Sequence, residues 1–175
     1  MQTVLQTERL TLRPLALSDA DTVHVYASDP ELTRYMLYLP NETREETLAF
    51  LSQAAEEWQK QAPAFFEFAI VLEGVQIGAV SIYLNEDRTK GELGWILNRD
   101  YHGKGYAAEA ALAVEEFAVR KLRVRKLIAH CDFRNRPSYR LMERLGLTLE
   151  DDTGTRTYPK TGETARELMY SRNYI

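Results

Sequence analysis

The stretch from Gly91 to Ala111 restricts what this chain can fold into more than any other. It reads Gly-Glu-Leu-Gly-Trp-Ile-Leu-Asn-Arg-Asp-Tyr-His-Gly-Lys-Gly-Tyr-Ala-Ala-Glu-Ala-Ala. The run Glu92 to Leu97 is short and rich in apolar and aromatic residues, with glycine ahead of it and Asn98 to Asp100 behind, which predicts a strand. From Gly105 onward Ala107, Ala111, Val114, Ala118 and Leu122 recur at intervals of three and four, the one-sided pattern of an amphipathic helix. The period changes at Gly103 and Gly105. These two residues open φ values closed to other side chains and let the backbone approach a ligand, while the first helical turn offers unpartnered amides and a partial positive charge. Such a turn is built to bind phosphate.

The same residues, Gly103-Lys104-Gly105-Tyr106-Ala107-Ala108, also fit the dinucleotide pattern G-x-G-x-x-G/A. That reading needs an acidic residue about 20 positions on to hold a ribose. The chain offers the basic run Leu122 to Lys126 there, and too little chain follows Asp132 to complete a doubly wound sheet.

Around this centre the chain predicts a mixed sheet. Leu10 to Leu15 reads as a first strand, stopped by Pro14. Ser18-Asp19-Ala20-Asp21 reads as a helix start, with Ser18 as N-cap and Asp21 closing a capping box. Asp29-Pro30 begins a turn into the aromatic segment Leu32 to Leu39. Asn41 or Thr43 opens a helix through about Lys60 with Leu48, Leu51, Ala55 and Trp58 on one face and its glutamates solvated. Phe66 to Leu72 and Val75 to Leu84 are strands joined by the tight turn Glu73-Gly74, and Asn85 to Lys90 returns the chain antiparallel to the Glu92 strand. The helix from Gly105 to Leu122 then crosses to a strand Lys126 to Asp132, parallel to the first if the two are neighbours. Pro137 to Leu145 is a short helix closed by Gly146, with Ser138, Leu141, Met142 and Leu145 on one face. Gly154 and Gly162 read as turns before a last strand, Glu167 to Ser171.

The 175 residues fit one domain, 1–175, and a single cysteine allows no internal disulfide. A net charge of -4 argues against nucleic acid as the main partner. No signal-like or bilayer-length apolar run stands out, so no membrane is expected and a cytoplasmic location is. His102, His130 and Cys131 have no metal-ligand spacing, and adjacent His130 and Cys131 point to opposite faces of their strand, so no metal is expected.

His102-Gly103-Lys104-Gly105-Tyr106-Ala107 resembles the acetyl-CoA-binding motif Gln/Arg-x-x-Gly-x-Gly/Ala of the GNAT superfamily of N-acetyltransferases, with histidine at its first position. The longer string Tyr-His-Gly-Lys-Gly-Tyr-Ala-Ala-Glu-Ala, and the opening Glu8-Arg9-Leu10-Thr11-Leu12-Arg13-Pro14, are similar to the ribosomal-protein N-terminal acetyltransferase (RimJ/RimL-like) branch. The resemblance implies one α/β domain, a mostly antiparallel sheet flanked by helices with a parallel βαβ crossover at the cofactor site. It implies acetyl-CoA as co-substrate, no metal, and an amine acceptor, with a monomer or homodimer. The leading acceptor is a protein N-terminal α-amine. A small amine (polyamine, amino acid or antibiotic) is the alternative, and a non-catalytic acyl-CoA-binding module the alternative of another class.

Amine acetylation must remove a proton from an ammonium, polarise a thioester carbonyl and protonate a leaving thiolate. The resemblance supplies a candidate for each. Glu92, on the strand leading into the phosphate turn, matches the family's glutamate base. The carbonyl donor is a backbone amide among Trp95, Ile96 and Leu97, beside a bulge that splays this strand from the next parallel one. The family's acidic tyrosine, in Asn-x-x-Ala-x-x-Leu-Tyr-x-x-x-Gly-Phe, is replaced here by Met142, and the Rim-type branch carries serine at Ser138 instead. Asn135 matches the asparagine that contacts the pantetheine arm, and His102, Gly103, Lys104, Gly105, Tyr106 and Ala107 form the phosphate turn. Glu109, in the helix's first turns, reads as structural.

Overall fold

A computed structural model describes residues 3–175. Its frame is one eight-stranded sheet in the order β1-β2-β3-β4-β5-β6-β8-β7. The strands are β1 (Leu5–Gln6), β2 (Leu10–Pro14), β3 (Phe65–Leu72), β4 (Val75–Leu84), β5 (Lys90–Leu97), β6 (Lys126–Asp132), β7 (Thr148–Thr157) and β8 (Thr164–Asn173). The helices are α1 (Ala20–Ala27), α2 (Arg44–Glu57), α3 (Tyr106–Arg120) and α4 (Arg136–Arg144). Every neighbouring pair is antiparallel except β5 and β6, which flank the α3 crossover and run parallel.

Strand alternation sorts side chains onto two faces. Phe66, Phe68 and Ile70 of β3, Val80 and Ile82 of β4, Leu93 and Leu97 of β5, and Leu127, Ala129 and Cys131 of β6 meet the predicted α3 face, Ala111, Val114 and Ala118, together with Met142 of α4 and Leu145 just past its end. Trp58, Phe66, Phe68 and Phe117 meet edge to face in this core, with ring centroids 5.0 to 5.5 Å apart. The opposite face carries Ala69, Ala79 and Ile96 against Val23 and Tyr26 of α1 and Leu51 of α2.

Several local expectations hold and others are displaced. Glu73 and Gly74 both take positive φ, 49° and 83°, as a two-residue hairpin turn with the strands' own twist requires. Thr43 caps α2 by accepting from Glu46 N, but the buried stripe is Thr47, Leu51, Ala54 and Glu57, rotated from the predicted one. Glu57 is buried because its carboxylate accepts Ala64 N and pairs with Lys60. Ser18 does not cap α1. Asp19 takes over by accepting from Ala16 N and from the Arg13 guanidinium, which fixes the start of a one-turn 3-10 helix instead.

The largest departure is β7. Its sequence is polar and, apart from buried Arg156, exposed or half-exposed because it is an edge strand, so neither hydrophobic alternation nor length marks it. Gly154 lies inside it at a register irregularity rather than in a turn, and such irregularities with acidic residues blunt an open edge.

Glu67, on β3, is buried on the α1–α2 face and its carboxyl accepts from the Tyr83 hydroxyl at 2.7 Å. Burial pushes its pKa up to about 7, with the Tyr83 hydrogen bond opposing. The folded chain therefore holds a proton that the unfolded chain has lost from above the ordinary carboxylate range to about 7, so this group's contribution falls as pH rises through that window. Glu67→Gln keeps an acceptor for Tyr83 and removes the titration. Denaturant melts should find the variant more stable than the parent at pH 8, by up to about 3 kcal/mol, with the gap closing toward pH 5.

Candidate active site

The site starts where two strands part. β5 and β6 pair only at Lys90↔Lys126, Gly91↔Leu127 and Glu92↔Ile128. Beyond that point β5 stays bound to β4 as far as Leu97, and β6 stays bound to β8 as far as Asp132. The main chain of Leu93 to Leu97 and that of Ala129 to Asp132 thus face each other across a V-shaped gap. The β4–β5 register runs unbroken from Gly78↔Leu97 to Leu84↔Gly91, so the parting occurs without the expected bulge. Trp95, Ile96 and Leu97 lie on the β5 arm.

Glu92 is the last paired residue of β5, on the α1–α2 face and half-exposed. Its Oε1 lies 2.8 Å from His130 Nδ1. His130 sits two residues past the vertex on β6, on the same face, while Cys131 turns into the α3 core as strand alternation requires. A carboxylate only accepts, so Nδ1 carries the hydrogen, and Nε2 makes no hydrogen bond to the described residues. The hydrogen bond to Glu92 holds the imidazole pKa above its usual value against burial, with Glu167 reinforcing and Arg156 opposing. Burial raises the Cys131 thiol to about 11, which keeps it inert.

At the other end of β5 the chain turns through His102 to Gly105. Gly103 and Gly105 have φ of 76° and 83°. A Cβ at Gly103 would meet nothing within 4 Å and one at Gly105 only the Arg9 guanidinium at 3.4 Å, so conformation rather than space demands glycine. The first helical hydrogen bond runs from Glu109 N to Gly105 O, leaving the preceding amides open. His102 Nε2 bonds Leu97 O at 2.7 Å and ties the turn to the arm. Arg9 lies 4.5 Å over the Tyr106 ring and donates to Lys104 O. Glu109 accepts from Thr7 and Arg9 and is structural as expected. Burial opposes its ionisation, but those bonds outweigh it and hold its pKa low.

Helix α4 closes the gap from the β6 side. Asn135 N bonds Asp132 O, and the Asn135 side chain caps α4 by accepting from Ser138 N. Met142 and Leu145 are buried in the core, with Ser138 half-buried on the same flank. Ser138 Oγ has no hydrogen-bond partner among the described residues.

The α1–α2 loop forms a wall on the Glu92 face. Buried Arg156 of β7 donates to Glu167 and to Tyr35 O, and the Arg134 guanidinium lies 5.2 Å from the Tyr35 ring. Arg134 is itself held by fully buried Asp132, whose pKa is about 2: burial would raise it, but Arg134 and Tyr158 outweigh that cost. Concave surface elsewhere, beside Trp58 and Pro63 or beside Leu112 and Tyr174, contains none of the predicted site residues.

Two features escaped the sequence reading: the Glu92–His130 contact and the Tyr35 clamp. The first depends on the parallel register of β5 and β6 across a helical crossover and the second on contacts between a loop and residues about a hundred positions on or more, and neither leaves a short-range signal. Among the described residues no group of three or more His, Cys, Asp or Glu could hold a metal, and no helix is long and apolar enough to cross a membrane.

Residues 9–148 match the family described as acetyltransferase (GNAT) domain. The chain is 31% identical over 169 residues to the uncharacterized N-acetyltransferase YnaD of Bacillus subtilis, covering 95% of each. It is 24% identical over 142 residues to a spermidine N(1)-acetyltransferase of Escherichia coli, covering 81% of this chain and 74% of that one. The structure of RimL, a ribosomal L7/L12 alpha-N-protein acetyltransferase in complex with coenzyme A, superposes with a TM-score of 0.87 at 19% identity, covering 98% of each chain. That likeness shows the fold. The turn's geometry predicts that Gly105→Ala, which forces a side chain into left-handed backbone at a cost of about 1–2 kcal/mol, weakens acetyl-CoA binding roughly tenfold by calorimetry without changing the far-ultraviolet spectrum.

Proposed function

The chain belongs to the GNAT acetyltransferase family, and from that premise we propose how its site works and on what. It is an N-acetyltransferase, and acetyl-CoA is the co-substrate of this fold. Acetyl passes directly to a primary amine in a ternary complex. The observation that carries the reading is the gap between β5 and β6, with a carboxylate at its vertex and a phosphate-type turn at the end of one arm.

The diphosphate is held by the amides of Gly103 to Ala107, with His102, Lys104 and Tyr106 shaping the turn. The pantetheine arm lies in the gap, where an amide of Trp95, Ile96 or Leu97 polarises the thioester carbonyl and Asn135 contacts the arm. Each is worth more in a dry cleft than in water. The acceptor comes from the α1–α2 face, where the Glu92 carboxylate, hydrogen-bonded to His130, supports removal of the ammonium proton. Ser138, unpartnered at the start of α4, protonates the leaving thiolate.

The acceptor is a protein N-terminal α-amine. Supporting this are the likeness of the glycine turn and of the chain's opening to the Rim-type branch, and serine in place of the acidic tyrosine. The spermidine enzyme among the relatives favours a polyamine as the second reading. Thiol release from acetyl-CoA, measured with short peptides bearing free Ser, Ala or Met N-termini against polyamines and aminoglycosides, tests the choice. Release with peptides alone is expected, and release with small amines alone would overturn it. Ser138→Ala should lower kcat about a hundredfold and leave acetyl-CoA affinity unchanged.

A further inference from the structure

We infer that the atom receiving the ammonium proton is His130 Nε2, with Glu92 as the partner that orients the imidazole and balances its charge. This rests on the acetyltransferase reading of the same site. The argument is geometric. Glu92 Oε1 is committed to His130 Nδ1 at 2.8 Å, and that bond selects the tautomer in which the Nε2 lone pair is free. The ring is on the α1–α2 face of β6, two residues beyond the last β5–β6 pair, so it lies beside the open gap rather than at the paired base of the V. A quarter of its surface is exposed, and Nε2 has no partner among the described residues. No neighbour competes for that atom, and a carboxylate behind an imidazole is an arrangement suited to taking and holding a proton.

The charged groups around the ring come from three strands. Glu92 on β5 and Glu167 on β8 raise its proton affinity, and Arg156 on β7 lowers it. Asp151, also on β7, lies close enough for the imidazolium to hold that carboxyl's own pKa down, although the two hydrogen bonds from Thr153 do most of this. The acidic partners win, so the imidazole pKa sits above 6.5 and the base-competent neutral ring accumulates as pH rises through that raised value.

The step balances. The ammonium gives one proton to Nε2 and becomes a free amine. Its lone pair forms the N–C bond to the thioester carbonyl carbon, and collapse of the tetrahedral carbon breaks the C–S bond. The departing sulfur takes the Ser138 hydroxyl proton, Ser138 recovers one from the nitrogen as it becomes an amide, and the imidazolium releases its proton to water. One proton leaves per turnover.

A base of this kind also selects its substrate. An α-ammonium, with a pKa near 8, lies about two units closer to it than a lysine-like alkyl ammonium near 10.4, so proton transfer is that much less uphill. The chemistry therefore favours peptide N-termini over side-chain amines.

The test is the pH dependence of kcat/KM with a peptide acceptor for the parent, His130→Asn and Glu92→Gln, with acetyl-CoA affinity and thermal melting as controls. Asparagine keeps an amide hydrogen for Glu92 but has nothing basic at the Nε2 position. H130N is expected to lose about 10²–10⁴-fold in kcat and the acidic limb of the profile. E92Q is expected to keep an acidic limb, shifted to lower pH. An H130N enzyme within threefold of the parent, with the limb intact while E92Q loses it, would overturn the assignment to His130 and leave Glu92 as the base. A parent protein that binds acetyl-CoA yet releases no thiol with any amine would instead overturn the acetyltransfer reading itself.

Discussion

Everything specific to this fold depends on β5 and β6 ceasing to pair after three residues. Parallel strands flanking a helical crossover ordinarily continue side by side, because unpaired main chain in a protein interior is costly. Here each strand keeps its outer partner, β4 or β8, and gives up the inner one. The unpaired edges are left for a ligand to satisfy. The same parting sets Glu92 at the vertex, His130 on one arm and the glycine turn at the tip of the other, so one irregularity in hydrogen bonding positions the groups to which the proposed chemistry is assigned.

The electrostatics around the gap divide into fixed and adjustable pairs. Asp132 and Arg134 form a locked pair: the carboxyl is fully buried, accepts from Arg134 and Tyr158, and is ionised at any ordinary pH. Its burial makes it a support for the start of α4 and, through Arg134, for the Tyr35 wall. Glu92 and His130 are more open to solvent, and the imidazole keeps one nitrogen free. A group that must change protonation in each cycle belongs in the second environment, and groups that must hold their place belong in the first.

How much of this was legible in the sequence follows from the range of each signal. The strand, glycine turn and helix from Lys90 to Arg120 were readable because the change of period and the two glycines are local. The Glu73-Gly74 hairpin was readable for the same reason, and so was α4 from Pro137 and Gly146, whereas the cap that Asn135 makes with its side-chain carbonyl was not read from the sequence. Edge strand β7 was not, since an exposed strand carries no apolar alternation. Nor was the partnership of Glu92 with His130, residues 38 apart whose contact is set by the parallel register of β5 and β6. The burial of Glu67 has no local signal either, because it depends on the packing of α1 and α2 against the sheet face that Glu67 shares with Ala69.

The most direct test of the account is a crystal structure with acetyl-CoA bound. The account predicts the diphosphate on the amides of Gly103 to Ala107 and the thioester between Leu93–Leu97 and Ala129–Asp132, with its carbonyl carbon within reach of both the His130 face and Ser138. A structure in which β5 and β6 pair along their full length, with the thioester bound elsewhere, would contradict it.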